Sequence, residues 1–147
     1  ILAVEQKFET VVDLSNELNN IKIRGKIDRI DSVNGITRVI DYKTGGQIKQ
    51  TDLNIKLYEE IFKDKKYSNI FQLLFYCLAI EKEYNFPIEA GIISFRNLNA
   101  GALKTKFLDK TNLVTSEKIV NYKKGIAELI TEILSKNISF TEKISEH

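Results

Sequence analysis

The sequence predicts an α/β (α+β) fold in which a central mixed sheet begins with an antiparallel three-strand meander and is flanked by helices. Three observations support this prediction. Apolar and polar residues alternate over residues 4 to 12, 20 to 31 and 36 to 43, the pattern of half-buried strands. The segment NIFQLLFYCLAIEKEYN is apolar nearly all round for its first three turns, as expected of a buried helix. A last stretch of the chain has apolar residues at helical spacing.

The first three strands are predicted to follow one another through short connections. Residues 4 to 12 and 20 to 31 are joined by polar, turn-forming residues from Asp13 to Asn20. Residues 36 to 43 complete the meander, and Gly45-Gly46 ends the third strand.

Asn34-Gly35 lies between two alternating apolar runs and is the strongest short-range signal of a two-residue hairpin turn. Such a turn defines which residues of the two strands lie opposite each other, because the numbers of paired residues then have a constant sum. The opposed pairs predicted in this way are Val33 with Ile36, Asp31 with Arg38, and Asp28 with Asp41.

The predicted pairing of Asp28 with Asp41 has an electrostatic consequence. Opposed Cβ atoms lie about 5 Å apart, and two ionised carboxylates at that separation repel by about 3 kcal/mol at an effective dielectric constant of about 20. Either a cation lies between them or one carboxylate stays protonated. Lys43 points to the same face as Asp41, because strand side chains alternate with a period of two. Two carboxylates and an ammonium group on one face can hold a hard divalent metal ion.

The same spacing also fits a purely structural arrangement. Asp28 with Lys43, or Asp28 with Lys26, would then form a solvated ion-pair cluster, which is how most charged strand faces behave. From the spacing alone, the metal site and the ion-pair cluster remain equally open.

Three segments of the chain, GKIDRID, VIDYKTG and QLLFY, form an ordered set of motifs. Their order and spacing resemble the PD-(D/E)XK nuclease superfamily, specifically its RecB-like branch of bacterial helicase–nuclease proteins, over residues 4 to 80. The resemblance implies a restriction-endonuclease-like core. It also implies that Asp28 and Asp41 are metal ligands, that the backbone carbonyl of Tyr42 is a further ligand, and that Lys43 is the motif lysine.

Gln72 and Tyr76 share one face of an otherwise apolar helix, because they are four residues apart. The resemblance implies that they bind DNA or orient the groups around the metal ion. The structural alternative is that a buried amide and a core tyrosine simply satisfy their hydrogen bonds inside the protein.

Glu5, within EQKF, resembles a glutamate that the family often carries on the strand before the metal ligands. The resemblance implies that its carboxylate holds Lys43 or a water molecule at the site. The alternation of the strand by itself places Glu5 on the surface, on the side opposite to Val4 and Phe8.

The chain also departs from the pattern of that branch. Its members usually carry an upstream helix with a histidine near the metal, and nothing before Glu5 corresponds to this helix. The sole histidine, His147, is interpreted as incidental because it is the C-terminal residue. We therefore expect residues 1 to 147 to be a single domain excised from a larger protein. Cys77 is the sole cysteine, so we expect no iron–sulfur cluster.

Composition sets limits on the function. The chain has 147 residues, 43% of them hydrophobic, which suffices for one core but not for two domains. Its net charge of +2 offers no strong electrostatic surface for nucleic acid, so that binding would be local. A single cysteine excludes a disulfide framework, and no apolar stretch reaches the length of a membrane span. We expect a cytoplasmic protein without a membrane partner.

The remaining elements are expected to flank the sheet. Thr51 can cap a short helix after the third strand. After Pro87, IEAGIISFRNL is typical of a strand, and LKTKFL extends it as a hairpin. Arg96 in this strand has phosphate-binding chemistry, although a lone strand arginine is usually a surface ion-pair partner. The last helix begins at Thr115 or Ser116 and covers the sheet with its apolar stripe.

The resemblance implies a metal-dependent DNA nuclease (exonuclease) domain that hydrolyses phosphodiester bonds, within a helicase–nuclease of DNA recombination and repair. The implied cofactor is Mg²⁺ or Mn²⁺. The implied partners are single-stranded DNA and a helicase domain or subunit. Two alternatives remain open: a non-catalytic DNA-binding or assembly module with the same fold, and a sugar- or nucleotide-phosphate enzyme. The last ranks lowest, because the chain has no Gly-rich phosphate cradle.

Overall fold

Six strands form one sheet and two α-helices flank it in the part of the chain that the computed structural model describes, residues 1–14 and 20–142. The strands are β1 (Ala3–Asp13), β2 (Asn20–Val33), β3 (Ile36–Lys43), β4 (Ile88–Ser94), β5 (Ala102–Lys104) and β6 (Leu113–Val114). The helices are α1 (Ser68–Ala79) and α2 (Ser116–Leu134). His147 and most of the connection between the first two strands lie outside the described residues.

The sheet is mixed, as the sequence predicts. Its strand order is β1-β2-β3-β4-β5, and β6 pairs with the start of β4. The meander β1-β2-β3 is antiparallel, whereas β4 runs parallel to β3 after the crossover through α1. This arrangement of a mixed sheet with flanking helices is consistent with the expected restriction-endonuclease-like fold.

The hairpin between β2 and β3 has the predicted turn and register. Asn34 and Gly35 have φ values of 52° and 79°, and a two-residue turn with both central φ angles positive matches the twist of the strands on either side. Val33 pairs with Ile36 and Asp31 with Arg38. The ladder ends at the pair Arg29–Ile40, so the predicted pair of Asp28 with Asp41, one position further on, is not part of it.

The core joins the sheet to both helices. The side chains of Val39, Ala90 and Ile92 are fully buried and belong to one apolar cluster with residues of α1 and α2. Tyr122 of α2 donates a hydrogen bond from its hydroxyl to the Phe71 carbonyl of α1 at 2.7 Å, which links the two helices. These contacts hold α1 against β3 and β4, the strands next to the predicted site. No helix among the described residues is long and apolar enough to cross a membrane.

The short helix predicted after Thr51 is wrong. The segment instead forms separate 3-10 turns at Gln50–Leu53 and Tyr58–Phe62. Between these turns the main chain pairs with Lys106, which donates to the Leu53 carbonyl and accepts from the amide of Ile55, at 2.9 and 2.8 Å. Main-chain partners outside the segment therefore replace the hydrogen bonds that a helix would have made.

Candidate active site

A chain of polar contacts runs from β3 to α1. The Nζ of Lys43 lies 2.9 Å from Oδ2 of Asp41 and donates a hydrogen bond to Oε1 of Gln72 at 2.8 Å. The amide nitrogen of Gln72 in turn donates to the hydroxyl oxygen of Tyr76 at 2.7 Å. Asp41 and Lys43 share a face of β3 because they are two residues apart, and Gln72 and Tyr76 share a face of α1 because they are four apart. The structure thus brings these four predicted residues together.

Asp28 lies where β2 and β3 separate. Its Oδ2 accepts a hydrogen bond from the backbone N–H of Tyr42 at 2.9 Å. If the hairpin ladder continued, that N–H would donate to the main chain of Ile27, the next hydrogen-bonded pair in this register. The Asp28 carboxylate therefore replaces a rung of the ladder and is anchored beside the backbone between Asp41 and Lys43.

The charge of Asp28 acts on Asp41. Burial raises the pKa of Asp41, the Lys43 ammonium group opposes this effect, and the negative charge of Asp28 raises the pKa further. The pKa of the Tyr76 hydroxyl is also raised, chiefly by burial and then by the charges of Asp41 and Asp28. Both carboxylates therefore act on the same small volume.

One oxygen of Asp41 is buried with an unused acceptor position. Oδ2 has no hydrogen-bond partner, although it lies at ion-pair distance from the Lys43 ammonium group. Both observations hold together because an ion pair requires only proximity, whereas a hydrogen bond also requires alignment. A buried oxygen of this kind is a suitable ligand for a hard cation.

The carboxylates near Lys43 can be compared with the ligands that divalent ions take. Among residues 1–14 and 20–142, no group of three or more histidine, cysteine, aspartate or glutamate side chains could hold a metal. Mg²⁺ usually binds through one or two carboxylates and takes its other ligands from water and substrate phosphates. The Asp28 and Asp41 carboxylates are of the oxygen-ligand type that hard divalent ions take, and the described residues do not supply a full set of protein ligands.

Glu5 lies apart from this chain of contacts. Its side chain is 74% exposed and its Oε1 pairs with Lys26 Nζ at 3.0 Å. The backbone at Glu5 has a φ of 48°, in the left-handed region. This conformation interrupts the alternation of β1, so that Val4 is 62% exposed although the periodicity places it on the buried side with Phe8. The carboxylate of Glu5 makes no contact with Lys43.

Ser94 is a residue of the site that sequence reasoning missed. It pairs with Lys43 in the parallel register of β3 and β4, so their side chains share a face. Ser94 is 1% exposed and its hydroxyl oxygen has no hydrogen-bond partner. No sequence signal indicates this position, because a parallel register over a long crossover leaves no local pattern.

Arg29, which the sequence did not single out, lies on the face of the sheet opposite to Asp41 and Lys43. Its guanidinium donates to the Asp31 carboxylate at 2.9 Å from Nε and to the Tyr42 hydroxyl at 3.2 Å from Nη1. Arg38 donates to the same carboxylate from Nε and Nη2 at 2.7 and 2.8 Å. The Asp31 carboxylate thus accepts hydrogen bonds from both Arg29 and Arg38. Arg29 also holds the hydroxyl of Tyr42.

The chain belongs to the PD-(D/E)XK nuclease superfamily, whose family model matches residues 1–144. A comparison with curated proteins found no significant match. Among solved structures, the crystal structure of SSO0001 is similar with 15% sequence identity and a TM-score of 0.47. The similarity covers 92% of this chain and 52% of SSO0001, so the chain spans about half the length of that protein.

Proposed function

We propose that this chain is a divalent-metal-dependent deoxyribonuclease domain that hydrolyses phosphodiester bonds. The position of Lys43 carries the proposal: its ammonium group lies between a buried oxygen of Asp41, at 2.9 Å, and the amide oxygen of Gln72, at 2.8 Å. The Lys43 side chain is 29% exposed, so it also reaches solvent. A cation held by fixed partners and open to solvent is well placed to stabilise charge that develops on a phosphate.

Each residue of the site has a role in this proposal. Asp28, Asp41 and the backbone carbonyl of Tyr42 would hold Mg²⁺ or Mn²⁺. When bound, such an ion polarises the phosphate and lowers the pKa of a water molecule. Lys43 would orient the attacking water and stabilise negative charge on the phosphate oxygens.

Gln72 and Tyr76 would act through Lys43. The Gln72 carbonyl accepts from the ammonium group while its amide donates to the Tyr76 hydroxyl, so the orientation of the amide is determined at both ends. The Tyr76 hydroxyl is protonated at neutral pH, and burial raises its pKa above the ordinary value of 10. Glu5, which pairs with Lys26 at 3.0 Å, would have no direct contact with Lys43 in this proposal.

We propose an exonuclease of the RecB-like branch that acts on single-stranded DNA delivered by a helicase domain or subunit, in DNA recombination and repair in the cytoplasm. The motif order GKIDRID, VIDYKTG and QLLFY supports this assignment. The net charge of only +2 supports delivery by a motor, because the chain has little long-range attraction for DNA.

A non-catalytic DNA-binding or assembly module is the second candidate. The observation that favours it is the small number of metal ligands, since the described residues contain no cluster of three or more metal-binding side chains. Such a module would bind DNA equally well with and without a divalent ion.

Cleavage of an end-labelled single-stranded oligonucleotide in Mg²⁺ or Mn²⁺ tests the proposal. We expect Asp41→Asn to lower kcat/KM by about 100-fold or more, because it removes a metal ligand worth several kcal/mol of transition-state stabilisation. Mg²⁺ should raise the Tm of the wild-type protein but not that of the variant. Asp13→Asn, at the exposed end of β1, is the matched control. Absence of cleavage by the wild type, with DNA affinity unchanged in chelator, would establish the binding module instead.

A further inference from the structure

One face of α2 carries exposed apolar side chains away from the core. Val120 and Leu134 are 52% and 42% exposed, and Ala127, midway between them, is half-buried. The three residues are seven positions apart, so they form a row along the helix. The residues of α2 with buried side chains are Ile119, Tyr122 and Ile126. They lie about 100° around the helix from the row, which is therefore not the face that packs in the core.

The row borders an elongated groove of about 780 Å³. Asp13, at the end of β1, and Ile138, after α2, line the groove from outside the helix. The α2 side is lined by residues between positions 120 and 135, which extend about 23 Å along the helix axis. Ala127 and Thr131 in the middle have short side chains, and the distance between two packed helices depends on the side chains at their contact. The groove therefore has the length and the open centre that a second helix requires.

The charges beside this row are unfavourable in a single copy of the chain. Lys124 is exposed in the first half of α2, whereas Glu128 and Glu132 are exposed in the second half. The two glutamates repel each other, because like charges four residues apart on a helix are neighbours. Glu132 also lies in the last turn, where the helix dipole favours a cation, and that turn contains no basic residue. None of the three side chains has an ion pair within the described part of the chain.

A two-fold axis beside Ala127 would bring the apolar ends of two such helices together. In the antiparallel pair that results, residues equally far before and after position 127 lie opposite each other. Val120 of each copy meets Leu134 of the other, and the two Ala127 side chains meet at the axis. Such an interface is isologous, because both copies use the same surface.

The same rotation matches the charges. Lys124 of each copy lies opposite position 130 of the other, and so between Glu128 and Glu132 of that copy. The three residues lie on one flank of the row, and a two-fold axis perpendicular to both helices leaves equal flanks on the same side. The cation of each copy thus reaches the two glutamates that repel each other in the other copy. This self-complementarity favours a second copy of the chain over an unrelated partner.

We propose that two copies of this chain associate through antiparallel α2 helices, with Val120 against Leu134 and Lys124 against the two glutamates of the other copy. None of the candidate active-site residues lies in α2, so the association does not depend on the proposed nuclease activity. A single pair of helices is a small interface. We therefore expect a weak dimer, with a dissociation constant on the order of 10 µM.

Sedimentation equilibrium tests the association. Between about 5 and 500 µM, a range around micromolar dissociation constants, the weight-average mass of the wild-type protein should rise from that of one chain towards that of two. Ala127→Gln should weaken the dimer by about 10-fold or more, because a longer side chain at the axis holds the helices apart. A wild-type protein that stays monomeric over the whole range would overturn the proposal, whether the groove then binds another segment of the chain or a different protein.

Charge reversal shows whether this face is the interface. Lys124→Glu in one variant, and Glu128→Lys with Glu132→Lys in another, place like charges opposite each other, so each variant alone should associate about 10-fold more weakly or worse. An equimolar mixture of the two should associate at least as tightly as the wild type, because opposite charges face each other again in the mixed dimer. Lys82→Glu, at an exposed lysine outside α2, is the matched control and should leave the dimer unchanged. A dimer that tolerates both reversals, or that the mixture does not restore, would contradict the proposal.

Discussion

At the scale of single residues, the charged side chains of the candidate site have few hydrogen-bonding and ion-pair partners. Lys43 contacts one carboxylate and one amide, and Asp41 retains a buried oxygen without a hydrogen bond. This buried oxygen is poorly solvated, which is why burial is the main cause of the raised pKa of Asp41. A cation beside that oxygen, such as the Lys43 ammonium group, lowers the cost of burying its charge.

Asp31 shows the opposite behaviour. Its pKa is lowered, chiefly by the hydrogen bonds from Arg38 and further by Arg29, despite burial that acts in the other direction. The ionised carboxylate therefore stabilises the fold at any pH above its ordinary pKa of 3.8, and this stabilisation is lost as the pH falls through the lowered pKa.

We predict that Asp31→Ala lowers the free energy of unfolding by about 3 kcal/mol at neutral pH, because it leaves two arginines without their shared partner. This figure is at the low end for buried pairs, since the arginine side chains remain 20% and 27% exposed. Urea denaturation at pH 7 and at progressively lower pH checks it, and the difference from the wild type should shrink on acidification. Glu9→Ala is the matched control, because Glu9 also pairs with two cations but on the exposed surface. The prediction would be contradicted if Asp31→Ala were as stable as Glu9→Ala.

At the scale of elements, the parallel contact between β3 and β4 assembles the site. It places Ile92 beside Asp41 and Ser94 beside Lys43, and brings Phe95 onto Tyr42. β4 is held in turn by β5 on its other side, where Gly91 pairs with Lys104. The close approach at this pairing requires glycine, because a Cβ at position 91 would lie 2.7 Å from the Leu103 carbonyl oxygen.

We predict that Gly91→Ala destabilises the protein by about 1–3 kcal/mol, because the added methyl group meets backbone rather than a movable side chain. The displaced β5 should also weaken protection of the β4 amides in hydrogen exchange. Gly46→Ala provides the comparison, since a Cβ there meets nothing within 4 Å. Equal midpoints of denaturation for the two variants would show that β5 can shift without cost.

At the scale of the whole molecule, the charge balance limits how DNA is reached. The 22 basic and 20 acidic residues nearly cancel, and several cations near the site are already paired, such as Arg29 and Arg38 with Asp31. Binding to DNA would then come from a few local contacts, rather than from a broad basic surface.

We predict a weak salt dependence of the affinity for single-stranded DNA. With about three phosphate contacts, a plot of log K against log salt concentration should have a slope of about −2. Titrations in chelator at about 50 to 200 mM salt test this slope, because counterion release is readily measured in that range. A slope of −5 or steeper, on the scale of about −0.7 for each phosphate contacted, would reveal a basic surface that the proposed delivery by a motor does not require.

Much of the fold could be predicted from local patterns. The alternation indicates the meander, Asn34-Gly35 indicates the turn and its register, and the spacing of Asp41 and Lys43 places them on one face. The pattern failed at Val4, where the left-handed backbone of Glu5 interrupts the alternation, and after Thr51, where Lys106 provides main-chain partners from a distant part of the chain.

The sequence by itself determined which side chains share a strand face or a helix face, because a two-residue or four-residue spacing translates directly into geometry. Tertiary structure alone decided which faces meet. The pairing of β3 with β4 bridges more than 40 residues of crossover, and the contact of α1 with the strands depends on the packing of the whole core. The hydrogen bond from Lys43 to Gln72, the position of Ser94 and the stacking of Phe95 on Tyr42 follow from those two contacts, since no local spacing relates residues so far apart.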